Sequence, residues 1–132
     1  MIEVYVDTSV IFPLIDRDDD DHARVVAAMS GMKASTQIVT SSYAVLEVSA
    51  LVRARLGMRQ FRALGDVIDE LDDIVWVDEA LHRRAWTEAA KAGRNGPSLV
   101  DWVGFLVMRD RGIETALAID NHFNEHGFKT LP

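Results

Sequence analysis

The chain reads as an α/β domain with a central, mainly parallel sheet. Three observations carry that prediction. Short apolar runs of strand length alternate along the chain with longer segments of helical period. The first run, Ile2-Glu3-Val4-Tyr5-Val6, is apolar almost throughout rather than alternating, as in a strand covered on both faces. Glycines, prolines and serines fall between the segments, where turns and helix caps need them.

Each element follows in order. Residues 2–6 form the first strand. Thr8 or Ser9 is placed to cap a helix that Pro13 keeps short or irregular. The acidic run Asp16 to Asp21 precedes the helical pattern His22 to Met29. The contiguous Asp18, Asp19, Asp20 and Asp21 are read there as a solvated helix start, because adjacent side chains diverge and close poorly on one ion. Gly31 ends that helix. Gln37 to Thr40 is the second strand, and Ser41 or Ser42 caps a helix from Tyr43 to Leu56 that stops at Gly57. A further helix runs from Met58 to Leu71. Ile74 to Val77 is a third strand, and Glu79 to Ala92 a helix. Gly93 to Pro97 is a loop, after which Ser98 caps a helix reaching Arg109. Ala116 to Ile119 is a fourth strand ending in Asp120. A turn from His122 to His126 and Gly127 lead to a last strand over Phe128 to Leu131.

At 132 residues, 48% of them hydrophobic, the chain suits one domain over 1–132 with a single sizeable core. No apolar run approaches the roughly 20 residues of a membrane span, so no membrane association is expected. No basic segment precedes the first strand, so no signal peptide is expected. With no cysteine, disulfides, thiol catalysis and thiolate zinc sites are excluded, and a cytoplasmic location is expected. The net charge of −7 argues against generic phosphate binding. It favours an acidic site that recruits divalent cations, or a basic partner.

The carboxylates carry the chemistry. In an open α/β sheet, ligands bind at the carboxyl ends of the strands. Asp7 and Asp120 both follow strands, and helix starts after strands lie on that same edge. Glu47 stands in the second turn of the helix after the second strand, and Asp101 in the first turn of the helix capped by Ser98. Each has a plain structural alternative. Ser98-Leu99-Val100-Asp101 is close to a capping box, and Asp7 and Asp120 could cap their own turns. Yet Glu47 sits amid Val45, Leu46, Val48 and Leu51, and Asp101 precedes Trp102, Val103 and Phe105, so both acids need partners. Two unit charges ~4 Å apart repel by about 4 kcal/mol at a dielectric of about 20. Protonation or cations must relieve such a cluster, and hard oxygen ligands suit Mg²⁺ or Mn²⁺. Such a site can hold a phosphodiester and lower the pKa of bound water.

The segments Val6-Asp7-Thr8-Ser9-Val10, Thr40-Ser41-Ser42-Tyr43-Ala44-Val45-Leu46-Glu47, Ser98-Leu99-Val100-Asp101 and Ala118-Ile119-Asp120-Asn121-His122-Phe123 with Gly127-Phe128 together resemble the PIN-domain family. Within it they are most similar to VapC-type toxins of toxin–antitoxin pairs. The resemblance implies a three-layer α/β/α sandwich and an Mg²⁺- or Mn²⁺-dependent endoribonuclease that cleaves RNA phosphodiesters with metal-activated water. It maps the catalytic and metal-binding acids onto Asp7, Glu47, Asp101 and Asp120. Ser9 would order Asp7 or stand near the metal, and Ser98 would hold Asp101. Relatives commonly carry Thr or Asn just before the last acid. This chain has Ala118-Ile119 there, and Asn121 is the expected substitute. The resemblance also implies a cognate antitoxin, and the apolar helices favour a homodimer with a groove for an antitoxin helix. The alternatives are a stand-alone PIN nuclease in RNA processing, a catalytically silent PIN interaction module, or a receiver-like α/β domain. The last lacks an acidic pair at the end of its first strand.

Among the remaining residues, Arg94 is the expected RNA-backbone contact, because its loop leads into Ser98, and His122 is a second candidate through its nearness to Asp120. His122 and His126 stand at a helical metal-ligand spacing without a third imidazole or thiolate beside them, so structural or surface roles are expected. Arg53, Arg55, Arg59 and Arg62 read as a solvated basic face. Met29, Met32, Met58, Met108, Phe61, Leu64, Leu81 and Trp86 fall at apolar helical positions suited to a core or a dimer surface.

Overall fold

In the computed structural model, which describes residues 1–132, the first strand β1 (Ile2–Val6) is the middle of a five-stranded sheet. Its companions are β2 (Thr36–Ser41), β3 (Asp73–Val75), β4 (Thr115–Leu117) and β5 (Lys129–Leu131), in the order β3-β2-β1-β4-β5 with every pair parallel. Val4 faces Ile38 of β2 on one side and Thr115 of β4 on the other. Because parallel neighbours need crossovers, helices fill every connection. They are α1 (Thr8–Ile15) and α2 (His22–Ser30), α3 (Ser42–Leu56) and α4 (Met58–Asp69), α5 (Glu79–Ala92) and α6 (Leu99–Arg111), and the single turn α7 (His122–Glu125).

The side-chain alternation of β1 divides the core in two. Val4 and Val6 pack with Val10, Ile11, Val25, Val48, Val52 and Leu64 from α1 to α4. Tyr5 points the other way, into Ala85, Phe105, Met108 and Phe123 from α5 to α7. The result is a three-layer α/β/α sandwich. Its strand order departs from the 2-1-3-4-5 order of receiver domains, which removes that alternative. The chain's progress across the sheet reverses between β1 and β4, and such a switch point opens a crevice at the carboxyl edge. Asp7 N donates to Leu117 O at 2.9 Å there, fastening the end of β1 to the end of β4.

Several local expectations are corrected. Asp7 itself, not Thr8 or Ser9, caps α1, accepting from Ser9 N, and Pro13 is accommodated inside that helix. Of the two serines at the start of α3, Ser41 is the cap, accepting from Ala44 N, while Ser42 Oγ accepts from Val77 N in the β3–α5 connection. The acidic run closes turns rather than capping α2: Asp16 Oδ1 accepts from Asp18 N and Asp19 Oδ1 from Asp21 N. β4 stops at Leu117, so Asp120 lies in the turn beyond it. Of the residues read as core or dimer surface, Leu64 and Met108 are fully buried, while Met58 and Trp86 are exposed. Gly57 joins α3 to α4 at φ +88°, a conformation that a side chain would strain.

α6 is the most enclosed helix, buried continuously from Asp101 to Met108. Gly104 lets it approach the sheet. A Cβ there would lie 3.0 Å from both Phe123 Cζ and Tyr5 Cε1. The Tyr5 hydroxyl, which burial pushes well above its ordinary pKa, donates to Ser41 Oγ at 3.1 Å and so is not left unpaired.

Candidate active site

The carboxyl edge of β1 sets the site. Asp7 is 2% exposed, at the junction of an apolar strand and a helix start. Its Oδ2 accepts from Ser9 N at 3.2 Å and from Ser9 Oγ at 2.7 Å. Burial pushes the Asp7 carboxyl up to about 7. Repulsion from Asp120 and Asp101 adds to the rise, and the Ser9 hydroxyl opposes it. Ser9 Oγ also accepts from Ile119 N at 3.0 Å. One hydroxyl thus orients Asp7 and anchors the turn that carries Asp120. The hydroxyl expected from the last-acid turn comes instead from the first. Asn121 is exposed, and its side chain makes no capping bond to α7.

Asp101 enters from α6. Ser98 Oγ accepts from Asp101 N at 3.2 Å, and Asp101 Oδ2 accepts from Ser98 N at 3.0 Å, a reciprocal capping box. The structural alternative is therefore realised, yet it occupies only Oδ2. That oxygen also accepts from His122 Nδ1 at 2.8 Å. Burial disfavours charge on His122, but the Asp101 carboxylate outweighs it and raises the imidazole pKa. Asp120 Oδ1 accepts from His122 N at 3.1 Å.

Glu47 stands apart from this group. It is half-buried and accepts from Thr8 Oγ1 at 2.8 Å. Thr8, read from the sequence only as a possible helix cap, is what ties it to the strand end. The structure thus groups Asp7, Asp101 and Asp120 and holds Glu47 beside them through Thr8. Arg94 is exposed in the loop before Ser98 and joins no salt bridge.

The donor set suits a divalent cation. Asp101, Asp120 and His122 offer ligand atoms within 4.8 Å of one another. Beyond the contact between the Asp7 and Asp120 carboxyls, Oδ1 of Asp7, Oδ1 of Asp101 and Oδ2 of Asp120 accept no hydrogen bond from the protein. No lysine or arginine pairs with any of the three. Buried carboxylates with no countercharge beyond the His122 imidazole are costly, and hard oxygen donors of this kind are what Mg²⁺, Mn²⁺ and Ca²⁺ take.

Comparison with known proteins identifies the family and the fold. The chain is 29% identical over 128 residues, 95% of each chain, to the 23S rRNA-specific endonuclease VapC20 of Mycobacterium tuberculosis. The crystal structure of that organism's VapC20, described as a sarcin–ricin loop cleaving toxin, matches with a TM-score of 0.86 at 26% identity over 95% of both chains. The VapBC2 complex of Rickettsia felis, bound to a promoter DNA fragment, shares the fold at a TM-score of 0.66 and 14% identity, over 98% of this chain and 97% of that one. The family model for the PIN domain matches residues 4–129, nearly the whole length, and the chain accordingly belongs to the PIN domain family.

Proposed function

We propose that this protein is a VapC-type endoribonuclease, the toxin of a toxin–antitoxin pair, working with Mg²⁺ or Mn²⁺ in the acidic crevice at the end of β1. The observation that carries the reading is the meeting of Asp7, Asp101 and Asp120 without a lysine or arginine among them. When bound, the ion supplies charge neutralisation for the phosphodiester and acidity for water. The protein's part is to hold and orient. Asp7, Asp101 and Asp120 are the proposed ligands through their free oxygens, with Glu47 as a further acid at the rim. Ser9 fixes Asp7, Ser98 fixes Asp101, and Asn121 stays exposed beside Asp120. Arg94 is the proposed RNA-backbone contact. The name of the VapC20 relative supports ribosomal RNA as the substrate class.

The net charge of −7 suits an antitoxin with a basic segment, and such a segment would compete for the acidic crevice. Leu46, Trp76 and Trp86 are large apolar side chains left exposed, which supports a homodimer. No helix is long and apolar enough to cross a membrane. A substrate and partner of these kinds support a cytoplasmic site of action.

The test is purified protein on ribosomal RNA with and without divalent metal, alongside Asp7→Asn and Asp101→Asn. Cleavage should require the metal and fall by at least about a hundredfold in either variant. Undiminished cleavage in EDTA, or in both variants, would overturn the reading.

A further inference from the structure

We propose that His122 is the positioning residue of this site, a clamp that sets Asp101 against Asp120 and leaves one oxygen of each free for the cation. The proposal rests on the metal-nuclease reading above and adds to it a residue that is neither ligand nor reactant.

The geometry is a double tie from one residue. The His122 backbone amide donates to Asp120 Oδ1 at 3.1 Å, and the ring Nδ1 lies 2.8 Å from Asp101 Oδ2. A carboxylate only accepts, so Nδ1 carries the hydrogen, and it does so in the neutral Nδ1–H tautomer and in the imidazolium alike. Asp101 Oδ2 already accepts from Ser98 N at 3.0 Å. With one donor from the cap of α6 and one from α7 on that oxygen, the carboxyl is held from two elements, and Oδ1 is the atom left to offer. Without the imidazole, only the cap would restrain it.

The clamp also has a rigid seat. α7 is a single turn, but the next residue, Phe123, is fully buried, with its ring 5.7 Å from Tyr5 and 4.8 Å from Phe105 between centroids. Phe123 pins the turn to the core while the imidazole beside it stays 38% exposed, so His122 can be changed without opening the interior. Groups that orient metal ligands in this way commonly contribute 10–100-fold, roughly, to metal affinity.

The experiment is Mn²⁺ binding to the purified full chain, by calorimetry, for wild type, His122→Ala and His122→Asn, with electron spin-echo spectra of the bound ion. His122→Ala should weaken Mn²⁺ binding about tenfold or more while its circular dichroism stays that of the wild type. His122→Asn, whose amide nitrogen can donate from near the place of Nδ1, should recover most of the loss. The wild-type spectrum should show no directly coordinated imidazole nitrogen. Unchanged affinity in His122→Ala, an Asn variant as weak as Ala, or strong nitrogen coupling to Mn²⁺ would each overturn the clamp while leaving the nuclease reading intact. Failure of the wild type to bind Mn²⁺ would overturn both.

Discussion

The hydroxyl of Thr8 donates to Glu47 Oε1 at 2.8 Å, so the residue that follows Asp7 holds an acid contributed by α3. A hydrogen bond to a charged group contributes about 1.5–3 kcal/mol. Thr8→Val keeps the shape and removes the donor. RNA cleavage should fall about tenfold in kcat/KM, with the thermal midpoint nearly unchanged, since Glu47 can turn to solvent. Steady-state kinetics on a defined RNA checks this, and activity equal to wild type would show that Glu47 needs no anchoring.

The raised pKa of Asp7 makes the metal-free fold pH-sensitive. A free aspartate titrates at about 3.9, whereas Asp7 in the fold titrates at about 7. Between these values the folded state holds the proton that the unfolded state has lost. Stability therefore falls as pH rises through this window, and the loss is complete above about 7. The gap corresponds to on the order of 4 kcal/mol. His122, raised toward its charged form, adds a slope of the same sign, because its contribution is lost as pH climbs past its folded value. Thermal melts in EDTA should give a higher midpoint at pH 5.5 than at pH 8 (values chosen at roughly the two ends of the window). Asp7→Asn should flatten most of that difference, and Mn²⁺ at the alkaline end should restore the midpoint by binding the folded state.

Gly104 allows α6 to lie against Tyr5 and Phe123. Gly104→Ala gains about 1 kcal/mol of helix propensity, but its Cβ would stand 3.0 Å from carbon atoms of both rings. Overpacking of this kind costs typically about 1–3 kcal/mol. The net expectation is a lower thermal midpoint. Displacement of Phe123 should also disturb the neighbouring His122 and weaken Mn²⁺ binding. Chemical denaturation paired with metal titration reads both effects.

Arg94 is exposed and free of any ion pair, and its loop leads directly into Ser98. Arg94→Glu should raise KM for RNA and reduce the salt dependence of binding by a slope of about 1. Mn²⁺ affinity should stay at the wild-type value. An unaltered salt slope would remove Arg94 from the RNA path.

The sequence made much of this architecture legible because strands and helices announce themselves locally. The apolar β1, the glycines at 57, 93 and 127, and the cap at Ser98 are all short-range signals. Contacts that depend on strand order were not legible. Thr8 and Glu47 meet only because β2 lies beside β1. Ser9 reaches Ile119 only because β4 lies on the other side. Apolar periodicity carries no information about that order. The His122–Asp101 pair escaped for a related reason. α7 is four residues long, too short for any face to be read from its period, so the direction of the imidazole emerges only once Phe123 is seated. Strand ends shifted by a residue or two for the same lack of a local stop signal, as with Ala118 and Ile119 beyond β4.

The central position of β1 has a consequence for timing. β1 precedes in the chain both strands that it pairs with, and the second of them, β4, begins only at Thr115. Pairings so distant in sequence form late, and a nascent chain can complete them only after the later segment has emerged. Asp7 cannot meet Asp101 and Asp120 until synthesis has passed all three. A half-made copy of this protein therefore has no acidic crevice, which comes into being only once translation of the chain has passed Asp120.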